Sequence, residues 1–133
     1  MDFIERLNDS VNSIEDLPIK CKLGYLKPTE SLVLYPLVGG KVEQEFYDGV
    51  KDQALNYEFA MKSKDQEAIN ITLWLIQNFL EELEELKSND GSFEFRKIEI
   101  ANKPYINDED EQGYYIFLID VTASITTIPK GGK

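Results

Sequence analysis

The chain contains no histidine, and among its 133 residues there is one cysteine and one tryptophan. Without histidine it lacks the commonest general base and the commonest metal ligand. A single cysteine, Cys21, permits no internal disulfide, so no oxidising compartment is implied. With no imidazole to activate it, Cys21 reads as a small core residue rather than a nucleophile. Basic residues are also scarce: 14 Lys and Arg stand against 25 Asp and Glu, a net charge of −11. Wrapping nucleic acid needs positive patches, so this balance argues against it. It suits a protein that must stay soluble at high concentration before assembling. Long apolar runs are missing too. The longest, 32–38 and 114–119, fall far short of a membrane span, and the N-terminus has neither the basic start nor the apolar run of a signal peptide. The expectation is a protein cytosolic when made, with no membrane partner, no cofactor and no bound metal.

What is present is one strongly periodic stretch, residues 63–87, expected to be the long helix of the fold. Ser63 is its candidate N-cap, with Gln66 three residues on, and Asp65 and Glu67 place acid where the helix dipole favours it. Ala68, Ile69, Leu73, Leu75, Ile76, Phe79, Leu80, Leu83 and Leu86 fall on one broad face. Asn89, Asp90 and Gly91 then supply the stop.

Before it, residues 2–14 have the spacing of a short amphipathic helix, capped by Asp2 and carrying Phe3, Ile4, Leu7, Val11 and Ile14. Residues 19–26 alternate as a half-buried strand with Ile19, Cys21, Leu23 and Tyr25 inward. Residues 31–37 form a second strand ended by Gly39-Gly40. Residues 41–47 and 53–62 form a hairpin. After the helix, 92–101 changes phase, since Phe93 and Phe95 lie opposite Ile98 and Ile100; a bulge near Arg96-Lys97 would reconcile the two. Residues 102–113 read as a polar loop. Residues 114–125 are apolar on both faces at their start and are expected to be a central strand. The fold class is therefore α+β, with order α-β-β-β-β-α-β-β. An antiparallel sheet of five to six strands carries the long helix and the short N-terminal helix. Residues 1–126 are expected to form one domain and 127–133 a flexible tail.

Motifs for chemistry are weak. Gly39-Gly40-Lys41 lacks the first glycine and the hydroxyl residue of a phosphate loop. Asp108, Asp110 and Gly113 resemble part of a calcium loop, but Ile119 stands where glutamate is required. A solvated acidic loop, Asp108-Glu109-Asp110-Glu111, explains them better. Two features break local rules. Trp74 lies nearly opposite the apolar helix face, among Glu67, Asn70, Asn78 and Glu81; either the N-terminal helix covers it or it anchors another subunit. Glu81, Glu82, Glu84 and Glu85 crowd the end of the helix against its dipole, and Glu81 and Glu85 repel at i,i+4. They form a solvated face, meet lysines of a neighbour, or line a surface that repels DNA.

The run Tyr57-Glu58-Phe59-Ala60-Met61-Lys62-Ser63-Lys64-Asp65, passing from strand to helix, and the run Asn70-Ile71-Thr72-Leu73-Trp74-Leu75-Ile76-Gln77-Asn78-Phe79-Leu80 resemble a family of small tailed-phage proteins. These are minor capsid proteins akin to the tail terminators of long-tailed bacteriophages. Residues 42–47 and 114–126 supply the matching hairpin arm and closing strand, so the likeness spans nearly the whole chain. The resemblance implies a structural virion protein of the tail and no enzyme. Its subunits form a homo-oligomeric ring, typically a hexamer, that caps the tail tube protein and presents a surface to a head-completion protein. DNA passes without specific binding, and assembly takes place in the bacterial host cytoplasm. Phe46, Tyr47 and Trp74 are the expected protein contacts, with Glu81, Glu85 and the 108–111 loop facing the lumen or a partner. The competing classes are a head-completion protein of a prophage and an acidic inhibitor or immunity-type protein.

Overall fold

The computed structural model describes residues 2–109 and 112–129, with the backbone alone at 102–109. In chain order the elements are α1 (Phe3–Asn12), β1 (Cys21–Leu23), β2 (Ser31–Glu45), β3 (Lys51–Ser63), α2 (Gln66–Glu82), β4 (Phe93–Glu109) and β5 (Tyr115–Thr127). The strands form one sheet in the order β1-β2-β3-β5-β4. Every neighbouring pair is antiparallel except β1 and β2, which run parallel. The sheet is thus mixed, not purely antiparallel as expected. Residues 24–30 bring the chain back to the same end of the sheet. So short a return is feasible because a strand of three residues rises only about 10 Å.

Three strands precede α2, where four were expected, because β2 runs straight through Gly39-Gly40. The glycines sit in a bulge, where the β2–β3 register shifts between Leu37 and Lys41. Gly39 takes φ +99°, and a Cβ on Gly40 would lie 3.1 Å from the Ala54 carbonyl oxygen. Glycine here lets the strand bend and approach its partner closely instead of ending it. Pro36 is tolerated because β1 covers only Leu32 to Leu34, leaving β2 an edge strand beyond that point. The bulge expected near Arg96 is present as a register shift between Phe95 and Lys97. β4 runs on to Glu109, through most of the segment read as a polar loop. β5 lies between β3 and β4, the internal position its apolar sequence suggested.

The helices cover one face of this sheet. α1 buries Phe3, Leu7 and Val11. The Phe3 ring meets Phe93 edge-on at 5.1 Å and Tyr57 at 5.4 Å. Asp2 holds the N-cap position of α1, but its side chain makes no capping hydrogen bond. Its carboxylate instead accepts from the Ser88 hydroxyl and the Asn89 N–H, while Arg6 donates to the Lys87 carbonyl. At the other end of α1 the Asn12 amide donates to the carbonyl of Cys21 and accepts from its N–H, extending the peptide hydrogen bonding of β1 into the helix.

α2 is shorter than its periodicity at both ends. Ser63 stays in β3, paired with Tyr115, and its hydroxyl bonds Glu30 and the Asp65 N–H. The cap is Asp65, whose carboxylate accepts from Glu67 and Ala68 N–H at 3.0 and 3.2 Å. The helix stops at Glu82, with no basic residue in its last turn to complement the dipole. Leu83 turns extended and Leu86 returns to the core. Glu84 and Glu85 therefore lie beyond the helix, and the expected i,i+4 repulsion between Glu81 and Glu85 does not arise.

Candidate interaction surfaces

α2 carries Ile69, Leu73, Ile76 and Leu80 into the core, which directs its opposite stripe to solvent. Trp74 is 64% exposed and Ile71, beside it, 43%. At 100° per residue Glu67 and Glu81 bracket Trp74 along the stripe, one two turns before it and the other two turns after. α1 therefore does not cover the indole. Sequence reasoning found Trp74 from its angular position and missed Ile71, which lies on the same wheel sector. Glu81 is exposed in the last turn and lines a small depression with Leu80, Ile98 and Ile100. Glu85 is exposed and pairs with Lys87 at 3.3 Å.

Phe46 and Tyr47 sit together at the β2–β3 turn, with Gln44, Glu45, Asp48 and Val50 lining an open depression. The turn is closed by Phe46 N–H to Val50 carbonyl (2.8 Å) and Gly49 N–H to Phe46 carbonyl (3.0 Å). Gly49 takes φ +87°, and a Cβ there would meet the Pro129 Cγ at 2.9 Å, so Pro129 packs against the turn. Tyr47 is fully exposed. Asp110 and Glu111, the side chains of Asp108 and Glu109, and residues 130–133 of the expected tail lie outside the described residues, so the acidic loop and its candidate cation site do too.

The sheet face without helices carries a carboxyl pair that sequence reasoning did not single out. Glu58 and Asp120 are cross-strand partners, and the Tyr35 hydroxyl donates to Glu58. Burial, then the hydrogen bond and charge of Asp120, push the Glu58 carboxyl up to about 7 against the opposing Tyr35 bond. Glu58 alternates as an outward residue of β3, and only the long-range register reveals what it meets. Cys21 is fully buried, and burial pushes its thiol up to about 12; at neutral pH it has no thiolate to react. No group of three or more potential metal ligands exists among the described residues.

Among the described residues the large side chains most exposed to solvent include the aromatics Tyr25, Tyr47 and Trp74. A family model, that of the bacteriophage tail terminator protein, matches residues 9–127. The chain belongs to the bacteriophage tail terminator family. No curated protein is significantly similar to it in sequence. For a tail terminator the relevant chemistry is contact with other virion proteins, and membership points to a structural role in the phage tail rather than a catalytic one. Among the described residues no helix is long and apolar enough to cross a membrane.

Proposed function

We propose that the chain is the subunit of a ring, a hexamer as the resemblance implies, which caps the growing tail tube and joins it to the DNA-filled head. The observation that carries the reading is the exposure of Trp74 on a fold of the tail terminator family. A large aromatic left in water costs the monomer solvation, and such residues are enriched where a partner later covers them. Termination follows when one face of the ring matches the tube end and the other recruits no further tube subunits. Phe46 and Tyr47 at the hairpin tip provide a second contact for the tube protein or the head-completion protein. Glu81, Glu85 and the 108–111 acids face the lumen or a partner, and the net charge of −11 lets DNA pass without being held. Residues 1–126 act as the ring-forming domain, with 127–133 as a docking arm, and assembly occurs in the bacterial host cytoplasm.

The test mixes the purified chain with polymerising tail tube protein and measures tube lengths by negative-stain microscopy. Tubes should stop short and carry a cap at one end. Trp74→Ala should abolish capping while its melting temperature stays that of the parent, because the indole is outside the core. Tubes that grow to the same length with and without the wild-type chain overturn the proposal. Deletion from the phage should yield overlong tails; finished tails beside unjoined heads would place the protein in head completion instead.

A further inference from the structure

The charges of this acidic chain are not evenly spread. Residues 20–27 hold three lysines and no acid, whereas residues 66–86 hold five acids and no base. The first stretch is the β1 edge, where Leu23 is 43% and Tyr25 77% exposed. The second is α2 with the residues that follow it; the helix holds three of the acids, Glu67, Glu81 and Glu82, and its outer stripe presents Trp74 and Ile71 between Glu67 and Glu81. Each surface thus combines exposed apolar groups with a rim of one sign, and the two signs are opposite. Among the described residues none of Lys20, Lys22, Lys27, Glu67 or Glu81 forms an ion pair.

Their placement matters as much as their charge. β1 ends the sheet on one side. α2 packs chiefly on β4, the strand that ends it on the other, and Glu81 sits beside Ile98 and Ile100 of that strand. We infer that the lysine-bearing β1 edge of one copy docks on the Trp74 face of α2 in the next, a head-to-tail contact between copies of this chain. Because the two surfaces lie on opposite flanks, a two-fold contact would bring either one against its own copy, lysines on lysines or glutamates on glutamates, a repulsive arrangement. A head-to-tail contact joins opposite signs, and when its rotation closes it generates a ring. The contact rests on the ring reading above and names the surfaces that would build it.

Complementary half-dead variants test it. Lys20→Glu/Lys22→Glu disables the β1 edge and leaves the α2 face intact; Trp74→Ala/Glu81→Ala does the reverse, and the two disabled surfaces cannot pair with each other because Glu67 still repels the new glutamates. All four positions are exposed, so both variants should keep the parent's circular dichroism and melting temperature. In sedimentation velocity the wild type should associate with rising concentration, more weakly at high salt. Each variant alone should associate at least tenfold more weakly, and a mixture of the two should form one-to-one dimers that stop there. Variants that stay separate on mixing, a variant that associates like the parent, or a wild type monomeric up to its solubility limit each overturn the inference. The tube-length assay separates this from the function. Capping that survives in Lys20→Glu/Lys22→Glu leaves the terminator reading standing without this contact; a closed assembly that fails to stop tubes keeps the contact and ends that reading.

Discussion

The two faces of the sheet are built from the same strands by opposite means. On the covered face Phe59, Met61, Ile119, Val121 and Ile125 are shut from water beneath α1 and α2. On the open face the matching cross-strand positions hold polar pairs: Glu58 with Asp120 and Tyr35, Thr122 with Asn56 at 2.9 Å, and Thr126 with Asp52 at 2.8 Å. The covered face draws its stability from buried area, which is non-directional. The open face fixes register by hydrogen bonds that water can replace, each of small net value. One side makes the fold stable; the other keeps its strands aligned at little cost to solubility.

That contrast can be broken by mutation. Phe59→Ala should cost the most, about 3–5 kcal/mol, because it removes a fully buried ring and leaves a cavity; denaturant titration would show it as a lowered midpoint. Glu58→Gln should act through pH. The Glu58 carboxyl is pushed up to about 7 in the folded chain, so its protonated form favours folding. That contribution is complete below about pH 4.5 and lost as pH rises to about 7. Over this window the parent should lose about 1–2 kcal/mol relative to Glu58→Gln, less than full linkage because water reaches part of the face. Parallel stability curves for the two proteins from pH 4 to 8 would show that the carboxyl titrates normally. Thr122→Ala should be the smallest change, about 0.5 kcal/mol, since water can take the place of the hydroxyl at Asn56; a loss as large as that of Phe59→Ala would erase the distinction between the faces.

Both faces were partly legible in the sequence. Period-3.6 spacing placed the inward residues of α1 and α2, and alternation in β3 separated Phe59 from Glu58, because both patterns are local consequences of backbone geometry. The phase change between Phe95 and Ile98 announced a bulge for the same reason. Element ends were harder. Ser63 and Asp65 are both good caps, and only the pairing of Ser63 with Tyr115 decides between them. Gly39-Gly40 serves a turn or a bulge equally well until β3 is laid alongside. Tyr25 and Leu23 were assigned inward, yet β1 stops at Leu23 and the alternation lapses there. Trp74 was visible as an outlier on its helix, whereas the lysine edge and acidic stripe became surfaces only once the sheet order set them on opposite flanks.

Pro129, packed where a side chain on Gly49 would lie, links the residues after β5 to the β2–β3 turn. A displacement of Pro129 would therefore disturb the turn that carries Phe46 and Tyr47.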